Sequence, residues 1–548
     1  MDDFKKSTIY QIYPKSFYDS NGDGIGDIRG IIEKLDYIKS LGVDYIWSTP
    51  VFVSPMNDNG YDVADYLNIN PLFGTMSDVD DLINEADKRG IGVMMDMVFN
   101  HTSTEHEWFK KALCGDEKYM DYYIFKDGSA DKPPTNWQSK FGGSAWEYVP
   151  KLGKWYLHLF DVTQADLNWE NKEVRDELKK VIKFWKDKGV RGFRFDVVNL
   201  ISKPDRFEDD SEGDGRRFYT DGPRVHEYLK ELVADTGIEN MVTVGEMSST
   251  SIENCIRYSN PAEKELSMCF NFHHLKIDYK DGNKWEIQEP DYVALKEIFR
   301  EWQCRMQEND GWNAVFWCNH DQPRIVSRLG SEGKYWKESA KMLAACIHMM
   351  RGTPYIYQGE EIGMTNPHFD DIHDYRDVES TNYFKILLDE GKSEDEALEI
   401  LAARSRDNSR TPMQWDGSAF AGFSESEPWI KVSSNYGDIN VLREEGDEDS
   451  VLNFYKKLIA LRKEYPAIHD GKIEFIFESQ EKVLAYKRTY EDQEITVINN
   501  MSESEAELPE EIKVQGMKLL LSNYKGEYSE GIKKLRAYES VILLNNKR

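Results

Sequence analysis

Gly192-Phe193-Arg194-Phe195-Asp196 decides how this chain is read. It is a short aromatic run, with a cation inside it and a carboxylate where it ends. Side chains two apart in a strand share a face, so Arg194 and Asp196 point the same way. Outward from it, one grammar repeats: a β-branched or aromatic run, a loop with polar or charged residues, then an amphipathic stretch. The runs are 8–13, 45–48, 92–98, 192–197, 242–246, 267–272, 314–317 and 354–358, with helix-like segments such as 31–40, 79–89, 174–188 and 337–350 between them. Alternating β and α predicts parallel strands, and eight of them predict a closed (β/α)₈ TIM barrel of the α/β class.

The spacing is broken after the third run. Residues 101–168 are rich in Trp, Tyr, Gly and Lys and read as an inserted subdomain. An insertion at the C-terminal end of a barrel strand lies over the active face. Residues 367–429 read as a second, irregular insertion on that face. The barrel then spans 1–100 and 169–470. From 471 to 548 the pattern changes to short alternating runs (472–477, 483–488, 494–499, 518–522 and 541–544), which predict a C-terminal antiparallel β-sandwich. The acidic stretch 503–511 reads as a solvated loop.

Acidic residues outnumber basic ones by 99 to 69, a net charge of −30. Such a surface repels nucleic acid and anionic membrane, and a small anionic substrate would need a local basic pocket. No apolar run of about 18 residues predicts a membrane span. Met1-Asp2-Asp3-Phe4-Lys5-Lys6 runs straight into a strand without an apolar leader segment, which predicts a cytoplasmic protein. The six cysteines are scattered with no CxxC pair and read as reduced, buried thiols.

Several strand runs end in chemistry. The third ends Asp96-Met97-Val98-Phe99-Asn100-His101, the fourth in Asp196, the fifth in Gly245-Glu246, and the seventh leads into Asn319-His320-Asp321. A barrel gathers these ends on one rim. Asp196, Glu246 and Asp321 would then ring one cleft, with Arg194, His101 and His320 beside them. A retaining glycosidase needs one carboxylate to attack the anomeric carbon and one carboxylic acid to protonate the leaving oxygen, about 5–5.5 Å apart. Arg194 would keep Asp196 ionised, while like charge and partial burial would keep Glu246 protonated.

These four regions, with Asn319-His320-Asp321-Gln322-Pro323 as the last, resemble the signature regions of the α-amylase superfamily over nearly the whole chain. The resemblance implies Asp196 as nucleophile, Glu246 as general acid/base, and Asp321 as the carboxylate that grips the sugar 2- and 3-hydroxyls. It implies Tyr61, Asp62, His101, Arg194, His320 and Arg410 around the glucosyl unit. Gln164-Ala165-Asp166-Leu167-Asn168, Val197 after the nucleophile, and the stretch from Ser405 to Pro412 resemble the oligo-1,6-glucosidase subfamily, with a departure at Ala165. The segments 213–224, 245–250 and 272–276 are similar to the trehalose-6-phosphate hydrolases, which also carry that alanine. The implied reaction releases glucose and glucose 6-phosphate from a phosphorylated disaccharide.

A dianionic substrate in so acidic a protein needs local cations. The loop after the sixth run offers His273, His274, Lys276, Lys280 and Lys284; Lys276 and Lys284, assisted by His274, are the expected phosphate ligands. In Asp19-Ser20-Asn21-Gly22-Asp23-Gly24-Ile25-Gly26-Asp27, oxygen donors recur at every second position as in the start of an EF-hand loop. Related enzymes, by the resemblance, hold a structural Ca²⁺ with the residues matching Asp19, Asn21, Asp23, the Ile25 carbonyl and Asp27; an Asx-turn loop closed by its own hydrogen bonds is the other reading. No organic cofactor is expected. Two rival functions remain: a neutral-sugar enzyme such as an oligo-1,6-glucosidase, which the basic loop opposes, and a non-catalytic barrel accessory protein, which the intact carboxylates oppose.

Overall fold

The computed structural model describes residues 4–526, 528 and 531–546. Met1-Asp2-Asp3, part of the N-terminal reading above, and residues 547–548 of the C-terminal domain lie outside it.

The eight expected strands form one parallel sheet. They are β1 (Ile9–Ile12), β2 (Tyr45–Ser48), β3 (Gly92–Met97), β4 (Gly192–Phe195), β5 (Val242–Glu246), β6 (Met268–Phe270), β7 (Ala314–Val315) and β8 (Thr353–Tyr357). Their order is β6-β5-β4-β3-β2-β1-β8-β7. A parallel bridge between Cys269 and Asn313 joins the two ends, so the sheet closes into a barrel. The strands are almost wholly buried, as expected where helices cover the outside and side chains fill the inside.

The helix Lys172–Asp187 shows how the outer layer is specified. The Asn171 side chain caps its N-terminus by accepting from the Glu173 N–H. Val174, Leu178, Val181, Ile182 and Trp185 recur on one face and are buried against the barrel. Each such buried side chain contributes on the order of 1.5–3 kcal/mol.

Residues 101–168 project from β3 as an antiparallel insert. His101–Ser103 pairs with Gln164–Asp166 at its base, and Lys154–Leu157 lies between Phe125–Asp127 and Trp146–Val149 further out. Its own core, with Trp137, Trp146 and Leu159, reaches Val197 and Leu200 just past β4, which fixes the insert over the mouth of the barrel. The segment 367–429 is not irregular throughout: it contains the helices Val378–Asp389 and Glu394–Arg404, packed around Trp285, Phe384 and Leu401.

The C-terminal unit has β9 (Lys472–Ile476), β10 (Val483–Tyr490), β11 (Gln493–Asn500), β12 (Ala506–Ile512), β13 (Lys518–Ser522), β14 (Ile532–Leu535) and β15 (Ser540–Asn546). Five make an antiparallel sheet, β9-β10-β11-β15-β13; β12 and β14 make a second, two-stranded one. The acidic stretch 503–511, expected as a loop, thus contributes most of a strand. Ala506, Leu508 and Ile512 pack on the apolar cluster between the sheets, while the glutamates face out. Tyr486 Oη and Arg488 Nη1 donate to the carbonyls of Cys346 (2.6 Å) and Met349 (2.7 Å) and tie this unit to the barrel.

Candidate active site

The ends of β3, β4, β5 and β7 converge where the sequence places them. Arg194, fully buried, is the hub. Its Nη1 lies 2.7 Å from Asp96 Oδ1 and 2.5 Å from Asp196 Oδ1, and its Nη2 bonds Glu246 Oε2. Asp96 also accepts from Tyr61 Oη (3.0 Å) and Trp47 Nε1 (3.2 Å). One guanidinium therefore bridges Asp196 and Glu246. Glycoside cleavage by paired carboxylates needs two such groups at one point of a cleft.

Asp196 is presented by a sharp turn. Its N–H bonds Met97 O at 3.0 Å, and the next residue, Val197, has φ of +34°, a left-handed conformation unusual for a β-branched side chain. The strand thus stops abruptly and the carboxylate enters the cleft.

Burial pushes both Asp196 and Glu246 up to about 7, against the pull of Arg194, and Asp196 and Asp321 raise Glu246 further. For Glu246 this is the expected direction. For Asp196 it corrects the expectation that Arg194 alone settles the matter: burial outweighs the guanidinium in the empty cleft. Asp96, which shares Arg194, raises Asp196 as well, so the carboxylates around this guanidinium hold on to a proton near neutrality, and the site can supply one acid and one carboxylate.

Asp321 behaves differently. Burial would raise it, but His320, Arg406 and Arg410 together hold it well below the ordinary range. Arg410 Nη2 lies 2.6 Å from Asp321 Oδ1, and His320 Nε2 is 3.2 Å from Oδ2. Gln11 Nε2 donates to His320 Nδ1 at 2.9 Å, so the ring presents its Nε2–H to Asp321. Tyr61 stacks on His320 with ring centroids 5.0 Å apart. His101 stays neutral, lowered to about 4 by burial, with Nε2 3.1 Å from Tyr61 O.

The open cleft, with a volume of about 200 Å³, takes in Tyr61, His101, Asp196, Glu246, Asp321 and Lys284. It also takes in groups the sequence reading missed: Asp58, Lys140, Phe141, Phe160, Glu379 and Arg406. Asp62 is the first correction. It is buried behind the cleft, where its carboxylate accepts from Ser54 Oγ and the N–H groups of Asn57 and Asp58. It builds the loop, and Asp58 is the carboxylate of that loop that faces the sugar site, 3.0 Å from both Arg406 Nη2 and Gln164 Nε2. Arg410 stands under Asp321; Arg406, four residues earlier, reaches the cleft.

His274 is the second correction. It is a core residue: its Nε2 lies 2.8 Å from Phe316 O, and the rings of Phe299, Phe316 and Trp317 surround it. Burial holds it neutral, near 4, so it offers no charge to a phosphate. Lys284 does enter the cleft, 2.6 Å from Glu379. Lys276 is exposed and is not among the residues that line the cleft; desolvation and then Arg216 lower its pKa. Lys280 points away towards Glu286.

Asp166 of the Gln164–Asn168 signature pins the insert: it accepts from Asn100 Nδ2 (2.9 Å) and the Leu159 N–H (2.8 Å) and pairs with Lys203 (2.7 Å). In the loop 19–27, Asp19 accepts from the N–H groups of Asn21, Gly22 and Gly24, Asn21 from Asp23, Asp23 from Ile25, and Asp27 from Ser20 and Gly30. The donors are all oxygen, which suits a hard cation. The loop is equally closed by its own bonds, and among the described residues no three acidic, histidine or cysteine side chains converge as a ready metal cage. The cysteines are free thiols.

Two carboxylates held by one guanidinium on the rim of a (β/α)₈ barrel, with a third carboxylate clamped by two arginines, make a sugar-cleaving site. The alpha amylase catalytic-domain family matches residues 11–471, and the alpha-amylase SusG C-terminal domain family matches 483–542. The chain belongs to the alpha-amylase family and is a glycoside hydrolase. It is similar to trehalose-6-phosphate hydrolases of Bacillus subtilis (53% identity, covering 98% of this chain and 97% of the relative) and Escherichia coli (56%, 91% of each). Among solved structures, the trehalose-6-phosphate hydrolase of Bacillus licheniformis superposes with a TM-score of 0.94 at 56% identity, covering 99% of this chain and all of that one.

Proposed function

We propose that this enzyme cleaves trehalose 6-phosphate to glucose and glucose 6-phosphate with retention, in the cytoplasm. Asp196 attacks the anomeric carbon as Glu246 gives its proton to the glycosidic oxygen, and glucose 6-phosphate leaves. Glu246, now a carboxylate, takes a proton from water, which attacks the same carbon and frees Asp196. Asp321, kept ionised by Arg406, Arg410 and His320, holds the ring hydroxyls. The observation that carries the phosphorylated substrate is Lys284, which lines the cleft together with Lys140 and Arg406 among the carboxylates Asp58, Asp196, Glu246, Asp321 and Glu379. Glu379 holds it until a phosphate competes. No helix among the described residues is long and apolar enough to cross a membrane.

The experiment is to follow hydrolysis by proton NMR. Initial release of α-glucose together with glucose 6-phosphate supports the reading; initial β-glucose would make the enzyme inverting, and no cleavage would remove the substrate. A structural Ca²⁺ held by Asp19, Asn21, Asp23, the Ile25 carbonyl and Asp27 is part of the proposal; a chelator should lower the Tm, and calcium restore it. An unchanged Tm leaves the loop to its own hydrogen bonds.

A further inference from the structure

Lys140 is the cation that no reading of strand ends points to. It lies in the insert, in a tight turn where the Ser139 N–H bonds Gly143 O (2.9 Å) and its own N–H bonds Leu159 O (2.9 Å). Its side chain lines the cleft beside Glu246. Its Nζ donates to Ser248 Oγ at 3.0 Å. Ser248 stands two residues past the general acid and is clamped by Asn199, which bonds both its N–H and its C=O at 2.9 Å. Among the described residues no carboxylate pairs with Lys140 or with Lys276, although the chain carries 30 more acidic than basic groups. Arg216, whose charge acts on Lys140, pairs with Asp214 at 2.9 Å. Burial, then the charge of Arg216, pulls Lys140 down to about 7, with Lys276 adding to the effect. Asp214 and Glu246 oppose that shift without making an ion pair with Lys140, and a buried ammonium with no direct ion-pair partner is costly unless an anion joins it.

The acid side of Asp196 is where the leaving group stands, since Glu246 must reach its oxygen. We propose that Lys140, braced by Ser248, is a specificity-determining residue that binds the phosphoryl oxygens of the leaving sugar, with Arg216 and Lys276 completing the anion pocket. This rests on the substrate reading above and adds to it a wall of the subsite supplied by the insert, in the cleft that Lys284 also lines. The insert then selects the substrate as well as covering the cleft.

The test compares wild type with Lys140→Met and Lys140→Arg. The readout is the ratio of kcat/KM on trehalose 6-phosphate to that on p-nitrophenyl α-glucoside, with the inhibition constants of glucose 6-phosphate, inorganic phosphate and glucose. Loss of one charge-assisted contact should lower the ratio by about tenfold or more in Lys140→Met and weaken glucose 6-phosphate inhibition alike, while Lys140→Arg keeps most of both. Weakened inhibition by inorganic phosphate as well would place the contact on the phosphoryl group itself. A smaller fall in the ratio overturns the inference; should Lys140→Met not fold, Lys140→Gln gives the same decision. A wild type that does not prefer the phosphorylated sugar overturns the substrate reading, whereas a wild type that prefers it and a Lys140→Met that prefers it equally overturn the role of Lys140 alone.

Discussion

The floor of the cleft and its rim are built on opposite principles. On the floor, every charge is answered: Arg194 serves Asp96, Asp196 and Glu246, and Asp321 sits between Arg410, Arg406 and His320. These groups hang from barrel strands or from residues packed directly against them, so their positions are over-determined. Around the floor, Lys140 from the insert and exposed Lys276 from a loop lack carboxylate partners among the described residues, and Lys284 is held by Glu379 alone of the cleft carboxylates. The floor is organised for a charge that develops during reaction; the rim is organised for a charge the substrate brings. Bond-making chemistry and substrate choice are thereby separable, and substitutions in the two regions should differ in kind.

The sharpest break is at the floor. Asp196→Asn should lower kcat by at least about 10⁴-fold on every substrate, because no covalent intermediate forms; single-turnover kinetics would check it. Glu246→Gln should cost on the order of 10²–10⁴-fold on the disaccharide and much less on p-nitrophenyl α-glucoside, whose leaving group needs little protonation. With Glu246 pushed up to about 7, the acid is competent only while protonated. The rate on the disaccharide should therefore fall as pH rises through the pKa of Glu246, and Glu246→Gln should abolish that alkaline limb.

At the rim the effect should be smaller and selective. The double variant Lys276→Ala, Lys284→Ala should raise KM for trehalose 6-phosphate by about tenfold or more, with kcat less affected; full efficiency in that variant would remove both lysines from phosphate recognition. The smallest effect on chemistry separates rim from core. His274→Ala should destabilise the fold by about 1–3 kcal/mol, through the unpaired Phe316 carbonyl and lost packing, without altering the preference for the phosphorylated sugar. A changed preference would return His274 to the subsite.

This contrast also explains what the sequence could convey. The barrel was legible because a buried parallel strand needs a compact apolar run, and eight of them recur with helices between. The floor was legible because a carboxylate at the end of such a run has few places to point. Asp62 and Asp58 were interchangeable by that logic: both lie in one loop, and only the fold shows that Asp62 accepts the loop's N–H groups while Asp58 faces out. His274 sits in a basic-looking loop, but a three-residue turn rotates it inward against Phe316, which no periodicity announces. Lys140 and Arg406 depend on chain segments far apart in sequence, so no local spacing could place them at one cleft. The strand Ala506–Ile512 was hidden by its glutamates, since an edge strand with one solvated face reads as polar.

The central claim is that the floor supplies chemistry and the rim supplies preference for a phosphorylated sugar. It is tested most directly by kcat/KM on trehalose 6-phosphate, trehalose and isomaltose under the same conditions. The account predicts a preference for trehalose 6-phosphate of about 100-fold or more, roughly 2.7 kcal/mol of discrimination. Comparable or better cleavage of isomaltose would contradict it and leave the rim lysines as surface charges.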